Sequence, residues 1–359
     1  MIFTDIFDDV TKKGTKIPTN QYLTEGLYPI IDQGQSDISG YTNEEKGLFT
    51  DVPAIIFGDH TRVIKYVDKP CFLGADGVKL LKAKERNANY KYLYYALSNA
   101  KIPNTGYNRH FKWLKEVNIP MYSEEKQAEI VAQLEKVDSL IFLRKQQLSK
   151  LDELVKARFV EMFGDPVSNS MRWKKDFLGK RCNIITGNTP PRTDAENYGH
   201  FIEWIKSDNI NTPESILTQA EEYLSEKGSQ IGRIVDSGSV LMTCIAGSLK
   251  CIGNVGIANR RVAFNQQINA IVPRFDETMY IYWLMIQSKP YIHRSINMAL
   301  KGILSKSQLS ALVFPFPPID LQRQFTAFVK QADKLKSEIQ SSLEKFETLK
   351  KVLMQKYFG

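Results

Sequence analysis

Short polar stretches between apolar segments carry side chains suited to nucleic-acid surfaces. In the first half these are His60 and Arg62, then Tyr107, Asn108, Arg109 and Lys112. In the second half they are Thr189 with Arg192, Lys206 with Ser207, Ser248 with Lys250, Arg260 with Arg261, and Lys301 with Ser305 and Lys306. Such residue types match the donors and acceptors of base edges and the charge of phosphates. Any one of these stretches also reads as a solvated surface loop. As a set at corresponding places in two halves, they predict a recognition surface.

Catalytic spacing is missing. No G-x-x-x-x-G-K-[ST] loop is present to cradle a nucleotide, and no G-x-G-x-x-G follows a strand. The histidines, His60, His110, His200 and His293, show no metal-ligand spacing with the cysteines. Asn188-Thr189-Pro190-Pro191 superficially resembles the Asn-Pro-Pro-aromatic motif of amino-methyltransferases, but Arg192 stands where the aromatic is required. Glu44-Glu45-Lys46 and Glu124-Glu125-Lys126 fit the loose end of a metal-nuclease motif. Such triplets are common, and the second suits a helix first turn. The expectation is a chain with no catalytic residues, no metal and no cofactor of its own.

The elements that must position the polar loops are organised by a repeat. Segments 117–164 and 312–359 align without a gap at a constant offset of 195. Pro120 recurs as Pro315, Gln127 as Gln322, Asp138 as Asp333, and Phe163-Gly164 as Phe358-Gly359. Each copy is a proline stop followed by a long helical run. Ser123 offers an N-cap, with Glu124 and Glu125 in the first turn. Apolar residues alternate four and three apart in a seam: Ile130, Leu134, Val137, Ile141, Leu148, Leu151 and Val155, with Arg144 and Arg158 interrupting it. The second seam runs through Phe325, Val329, Ile339, Leu343, Phe346 and Leu353, with Lys336 and Lys350 interrupting. This pattern predicts a coiled coil or long helical hairpin, and the offset of Arg144 from Lys336 is expected to help fix register. About 36 residues would make a rod of roughly 54 Å.

Each helix follows a block of short apolar segments separated by glycine, asparagine and proline turns. Val52–Phe57 and Val78–Leu81 read as strands of the first block, and Tyr90–Ala100 as a core helix. Gly238–Gly256 and the helix Tyr280–Ser288 answer them in the second. The fold class is therefore α+β. Two mixed, mainly β domains are separated by two long helices that pack as an antiparallel coiled coil, in a pseudo-two-fold tandem repeat. The boundaries are 1–120, first globular domain; 121–164, first helix; 165–318, linker and second globular domain; and 319–359, second helix.

The bulk numbers agree with this plan. At 359 residues, two or more domains are expected. The composition is that of a folded chain, with 43% apolar and 25% charged residues. No apolar run approaches a membrane span. The acidic start, with Asp5, Asp8 and Asp9, lacks a signal peptide's basic region, so a cytoplasmic location is expected. Net charge is +8, with the largest excess in the second block. That permits a polyanionic partner held by shaped surfaces.

At this point the chain resembles the specificity (S) subunit of type I restriction–modification systems. The resemblance rests on the order block, helix, block, helix, on the entry Pro315–Phe325, and on the ending Phe346–Gly359. The turn Thr186–Pro190 with Trp204-Ile205-Lys206 also resembles the start of a target-recognition domain; the first block lacks both features. The resemblance implies double-stranded DNA with a split recognition sequence as the target, each block reading one half. It implies two modification (methyltransferase) subunits docked on the helices and blocks, with restriction (translocase–nuclease) subunits joining them. S-adenosylmethionine would belong to the partner methyltransferase. Half-sites read on one duplex face lie about 34 Å apart, a distance a rigid rod can set. Two rival readings stay open: an autonomous enzyme, and a coiled-coil protein scaffold with two docking domains and no direct DNA readout.

Overall fold

The computed structural model describes residues 1–74, 76–106, 108–296 and 302–359. It divides into two compact units, Met1–Gln146 with Gln340–Gly359, and Gln147–Ile339. The division does not follow the ends of the sequence blocks. Each unit takes in part of both long helices.

Those helices are Glu124–Phe163 and Ile319–Phe358, each 40 residues, longer than the seam alone suggested. Their bounds differ by the same 195 residues as the sequence repeat. At the first entry Ser123 accepts from Lys126 N–H at 3.4 Å, with Glu124 and Glu125 in the first turn. At the exit, Gly164 has φ +74°, the left-handed conformation in which a helix commonly ends and which glycine adopts without penalty.

Within the first unit the two helical segments pack side by side. Tyr357 donates to Gln133 at 3.0 Å, Lys350 pairs with Asp138 at 2.6 Å, and Lys145 with Glu347 at 3.2 Å. Arg144 Nε donates to Ser342 at 3.2 Å. Residue numbers rise along one segment as they fall along the other, so the segments run antiparallel. Ile130, Leu134 and Val137 are buried, as is Leu343, while Ile141, Phe346 and Leu353 are half-buried. In the second unit Val155 is buried with Phe325 and Val329, and Lys336 pairs with Asp152. Leu148, Leu151 and Ile339 are half-buried there. The seam departs from its expected line near the end. Arg158 lies aside, 5.8 Å from the Phe328 ring centre, and Phe159 fills the core in its place. A straight helix drifts relative to a strict 3.5-residue repeat, which brings the neighbouring position inward.

The two units share a topology, and the expected correspondence of Gly238–Gly256 with the strands after Val52 is part of it. In the first, strands Phe7–Asp9, Val78–Ala83, Ala54–Gly58 and Ile64–Val67 form an antiparallel sheet in that order. In the second, Cys182–Thr186, Ile268–Pro273, Val240–Thr243 and Val255–Ile257 do the same. A second layer repeats as well. Tyr28–Ile31 pairs antiparallel with Gly40–Thr42 and parallel with Phe72–Leu73. Tyr198–Ile205 pairs antiparallel with Tyr223–Leu224 and parallel with Val262–Phe264. The registers Ile31↔Leu73 and Ile205↔Phe264 make Asp32 the positional counterpart of Lys206.

Equivalent contacts join each unit to its helix entry. Tyr92, in the helix Tyr90–Ser98, donates to the Pro120 carbonyl. Tyr280, in Thr278–Gln287, donates to the Pro315 carbonyl at 2.7 Å. Buried Gln127 donates to Tyr122 O at 2.9 Å, and buried Gln322 to Pro317 O at 2.9 Å. The Phe-Gly ends complete the pattern: Phe358 lies 5.4 Å from the Tyr92 ring, and Phe163 lies 5.0 Å from the Tyr280 ring. The repeated prolines, glutamines and phenylalanines thus mark a repeated joint between globular block and helix. Among the described residues no helix is long and apolar enough to cross a membrane.

Candidate nucleic-acid interface

In the first unit, three loops are tied to one another beyond the parallel strand pair. After Ile31 the chain turns through Asp32–Ser39, and the hairpin Ala54–Gly58 to Ile64–Val67 turns at Asp59–Arg62. His60 N–H donates to Gln33 Oε1 at 3.1 Å, and Thr61 Oγ1 donates to Gln33 O at 2.6 Å. The third loop, around Asn108, is anchored to the same turn. His60 Nδ1 lies 3.2 Å from Asn108 O, and buried His110 bonds Asp59 O through its backbone N–H at 2.8 Å. Phe111 N–H donates to Asp59 Oδ1 at 2.7 Å. Hydrogen bonds of this kind hold polar loops in one geometry, which base reading requires.

The predicted residues of this half take different roles. Asn108 and Arg109 are exposed on the cluster, and His60 is half-buried within it. Arg62 bends inward; its φ is +62° and its guanidinium donates to Ile102 O at 3.2 Å. Lys112 begins no loop but sits in the short helix Phe111–Leu114, its amine 4.2 Å from the Trp113 ring centre. Tyr107 lies outside the described residues. The Asp32–Ser39 loop reads as a turn in sequence, but none of its residues is among the predicted recognition residues. Its Asp-Gln-Gly-Gln-Ser composition is a turn signal. Asp32 accepts from Gly34 N–H at 2.7 Å and from Ser39 Oγ at 2.5 Å. Lys65 stands 3.8 Å away and donates to Ser36 O at 2.5 Å. Burial holds the Lys65 amine below the usual lysine range, against the pull of Asp32.

At the corresponding place in the second unit stands a basic, aromatic cluster. Arg192 lies 4.6 Å from the Tyr198 ring centre and 5.1 Å from that of Trp204. Lys206 lies 5.5 Å from the Trp204 ring centre. Both cations bond one carboxylate: Arg192 donates to Glu222 Oε2 at 2.8 Å, and Lys206 donates to Glu222 Oε1. The Lys206 hydrogen bond, working against burial and aided by Arg192, holds the Glu222 carboxyl below the usual glutamate range. Asn188 brackets the cluster, accepting from Arg233 N–H at 2.7 Å and donating to Ile231 O at 2.9 Å. The preceding Gly187 leaves no room for a side chain. A Cβ there would fall 2.1 Å from Asn265 O. Thr189 donates to Gln266 Oε1 beside it, and half-buried Ser207 opens the turn after Lys206.

Other predicted contacts are spent inside the fold. Arg260 forms a two-pronged pair with Glu203, Nε to Oε1 at 2.5 Å and Nη2 to Oε2 at 2.6 Å. It also donates to Leu217 O at 3.1 Å and Thr218 O at 3.0 Å. The geometry makes it a brace between strand and loop. Ser305 caps the helix Lys306–Ala311, accepting from Gln308 N–H at 3.2 Å. Ser305 and Lys306 therefore open a helix and do not lie in a polar loop. The Ser305-x-x-Gln308 spacing is the capping-box signal of that start. Lys306 lines a groove with Lys180 and Arg274. Ser248 and Lys250 are exposed, as is Arg261, which stands 3.6 Å from Asp236. Lys301 lies outside the described residues.

No group of three or more histidine, cysteine, aspartate or glutamate residues that could hold a metal occurs among the described residues. Burial pushes the Cys71 thiol up to about 11 and those of Cys182 and Cys244 to about 12. These three are poor nucleophiles near neutral pH.

Comparison with known proteins bears on both units. The family described as "Type I restriction modification DNA specificity domain" matches residues 3–153 and again 171–345. The chain belongs to this family. The match covers both globular blocks and much of both helices, as a tandem arrangement requires. The Escherichia coli type I restriction enzyme EcoR124I/EcoR124II specificity subunit is 22% identical over 354 residues, covering 91% of this chain and 84% of that one. The putative type I restriction enzyme MjaX specificity subunit of Methanocaldococcus jannaschii is 22% identical over 327 residues, covering 82% and 73%. The crystal structure of the type I restriction-modification S subunit from M. genitalium superposes with a TM-score of 0.62 at 17% identity, covering 100% of this chain and 95% of that one. The chain is thus a type I restriction–modification DNA specificity subunit with two tandem recognition blocks of mixed helix and sheet.

Proposed function

We propose that each globular block reads one half of a split sequence in double-stranded DNA, and that the chain itself catalyses nothing. The observation that carries this reading is the common topology, with a different polar loop set at the same place in each block. In the first block the set is Gln33, His60, Asn108 and Arg109. In the second it is Thr189, Arg192 and Lys206, with Ser248, Lys250, Arg261 and Lys306 on exposed loops and helix ends. One scaffold with two different surfaces suits two different half-sites.

The antiparallel pairing within each unit supports a continuous coiled coil that sets the spacer between half-sites. The repeated joint, with Tyr92 and Tyr280 on the Pro120 and Pro315 carbonyls, suits docking one kind of partner twice. Two modification subunits would dock there and restriction subunits would join them in the cytoplasm. S-adenosylmethionine would be held by the modification subunits, which supply methyl transfer. Titration of full-length chain, with and without modification subunits, against duplex DNA at rising salt tests the reading. DNA binding with a steep loss of affinity is expected from counterion release. No binding at low salt, even with modification subunits present, would favour a protein scaffold.

A further inference from the structure

Glu222 stands between the two cations of the second unit's basic, aromatic cluster. It accepts from Arg192 at 2.8 Å and from Lys206, while the same cations lie over the Trp204 ring. The Glu222 side chain is 36% exposed, so its charge reaches solvent and any ligand on that surface. Its backbone is fixed independently, since Glu222 O accepts from Trp204 N–H at 2.9 Å. One carboxylate therefore cancels about half the positive charge of the cluster without being needed to fill the core.

Resting on the DNA-reading function above, we propose that Glu222 is a specificity-determining residue that competes with DNA phosphate for Arg192 and Lys206. Random duplex is held by charge alone. Against such a partner the cluster offers one net positive charge, and a phosphate must displace Glu222 to gain the second. On the target duplex, base contacts elsewhere on the surface offset that displacement. The carboxylate thus weakens binding to wrong sequences more than to the right one, which is how repulsive elements produce specificity. It also keeps Arg192 and Lys206 against the Tyr198 and Trp204 faces, ready to turn toward a phosphate.

The test is a titration of full-length wild type and Glu222→Gln between 50 and 200 mM salt, against random-sequence duplex and against duplex bearing the motif that the chain directs to methylation; the gain in affinity should be larger on the random duplex. The substitution keeps size and hydrogen-bonding capacity and removes the charge. Glu222→Gln is expected to bind more tightly at 50 mM. Its plot of log affinity against log salt should be steeper by about 0.9, the value of one additional phosphate contact. Its advantage should shrink by about 3.5-fold across that range. Glu222→Asp, which keeps the charge, should restore the wild-type slope. A purely structural role predicts the opposite, weaker binding to random and target duplex alike with no change of slope, and would overturn the proposal. Equal slopes and affinities for wild type and Glu222→Gln would overturn it too. If neither protein binds duplex at the lowest salt, the DNA-reading function itself fails, and this inference with it.

Discussion

Arg260→Met separates a brace from a DNA contact. Sequence alone makes Arg260 a candidate phosphate ligand, whereas its guanidinium is committed to Glu203 and to two loop carbonyls. Removing it leaves Glu203, 15% exposed, with one remaining bond, from Ala220 N–H at 2.8 Å. Leu217 O and Thr218 O lose their donor as well. Breaking a fully buried pair from one side costs about 3–5 kcal/mol. Arg260 is 31% exposed, so solvent screening reduces the expected cost to about 2–3 kcal/mol. Hydrogen exchange reads this locally, which suits a chain of two units better than a single melting point. Amides of 202–224 should exchange roughly 30- to 150-fold faster in the variant, while amides of the first unit are unchanged. The slope of DNA affinity against salt should match wild type. Unchanged exchange together with a slope shallower by about 0.9 would refute the reasoning and return Arg260 to the interface.

Further outcomes follow from the same contacts. The Arg260 hydrogen bond, working against burial, holds the Glu203 carboxyl below its ordinary value of 4.5. A lowered folded value stabilises above the unfolded value, and that stability is lost as pH falls through the folded one. Glu203→Gln should therefore flatten the acid limb of second-unit exchange below about pH 4.5, and an unaltered limb would contradict the pairing. Phe163→Ala should destabilise the second unit by about 3–5 kcal/mol, because Phe163 is 2% exposed and packs on Tyr280 and Phe325. Phe358→Ala, at the half-buried equivalent, should cost the first unit less; comparative exchange of the two variants measures the difference. Arg144→Leu with Lys336→Leu removes two of the four polar interruptions of the seam, each of which meets the opposite helix. Unchanged folding and oligomeric state by light scattering would remove any role for these cations in register.

The helices were legible because their signals are local. A proline stop, an N-cap serine, a three-four apolar alternation and a Phe-Gly end all lie within reach of one another along the chain. Of the shared sheet topology, the central hairpin was legible but the strand order was not, because it rests on pairings such as Ile31↔Leu73 and Ile205↔Phe264 between distant segments. Trp204-Ile205-Lys206 and Ile30-Ile31-Asp32 occupy one place with opposite charge at the final position. No comparison of residue types reveals that. The candidate interface was half legible for the same reason. Polar composition singled out Arg192, Lys206, Asn108 and Arg109, which the fold leaves on polar loop clusters. It could not distinguish them from Arg260, whose partner lies 57 positions away. Nor could it find Glu222, whose role depends on two cations brought to it by different strands and loops.

The central claim is that two blocks read two half-sites and the helices set the gap. Its most direct test is methylome sequencing of a host expressing this chain with its modification subunit, beside two variants. One variant replaces residues 1–120 with a relative's block. The other inserts seven residues after Gln146 and seven after Ile339, where the two units divide. A split methylated motif is expected in the parent. The block replacement should change one half only, and the paired insertion should lengthen only the spacer. The added turns are about 10 Å long at 1.5 Å per residue. A single undivided motif, or a block replacement that alters both halves, would contradict the account.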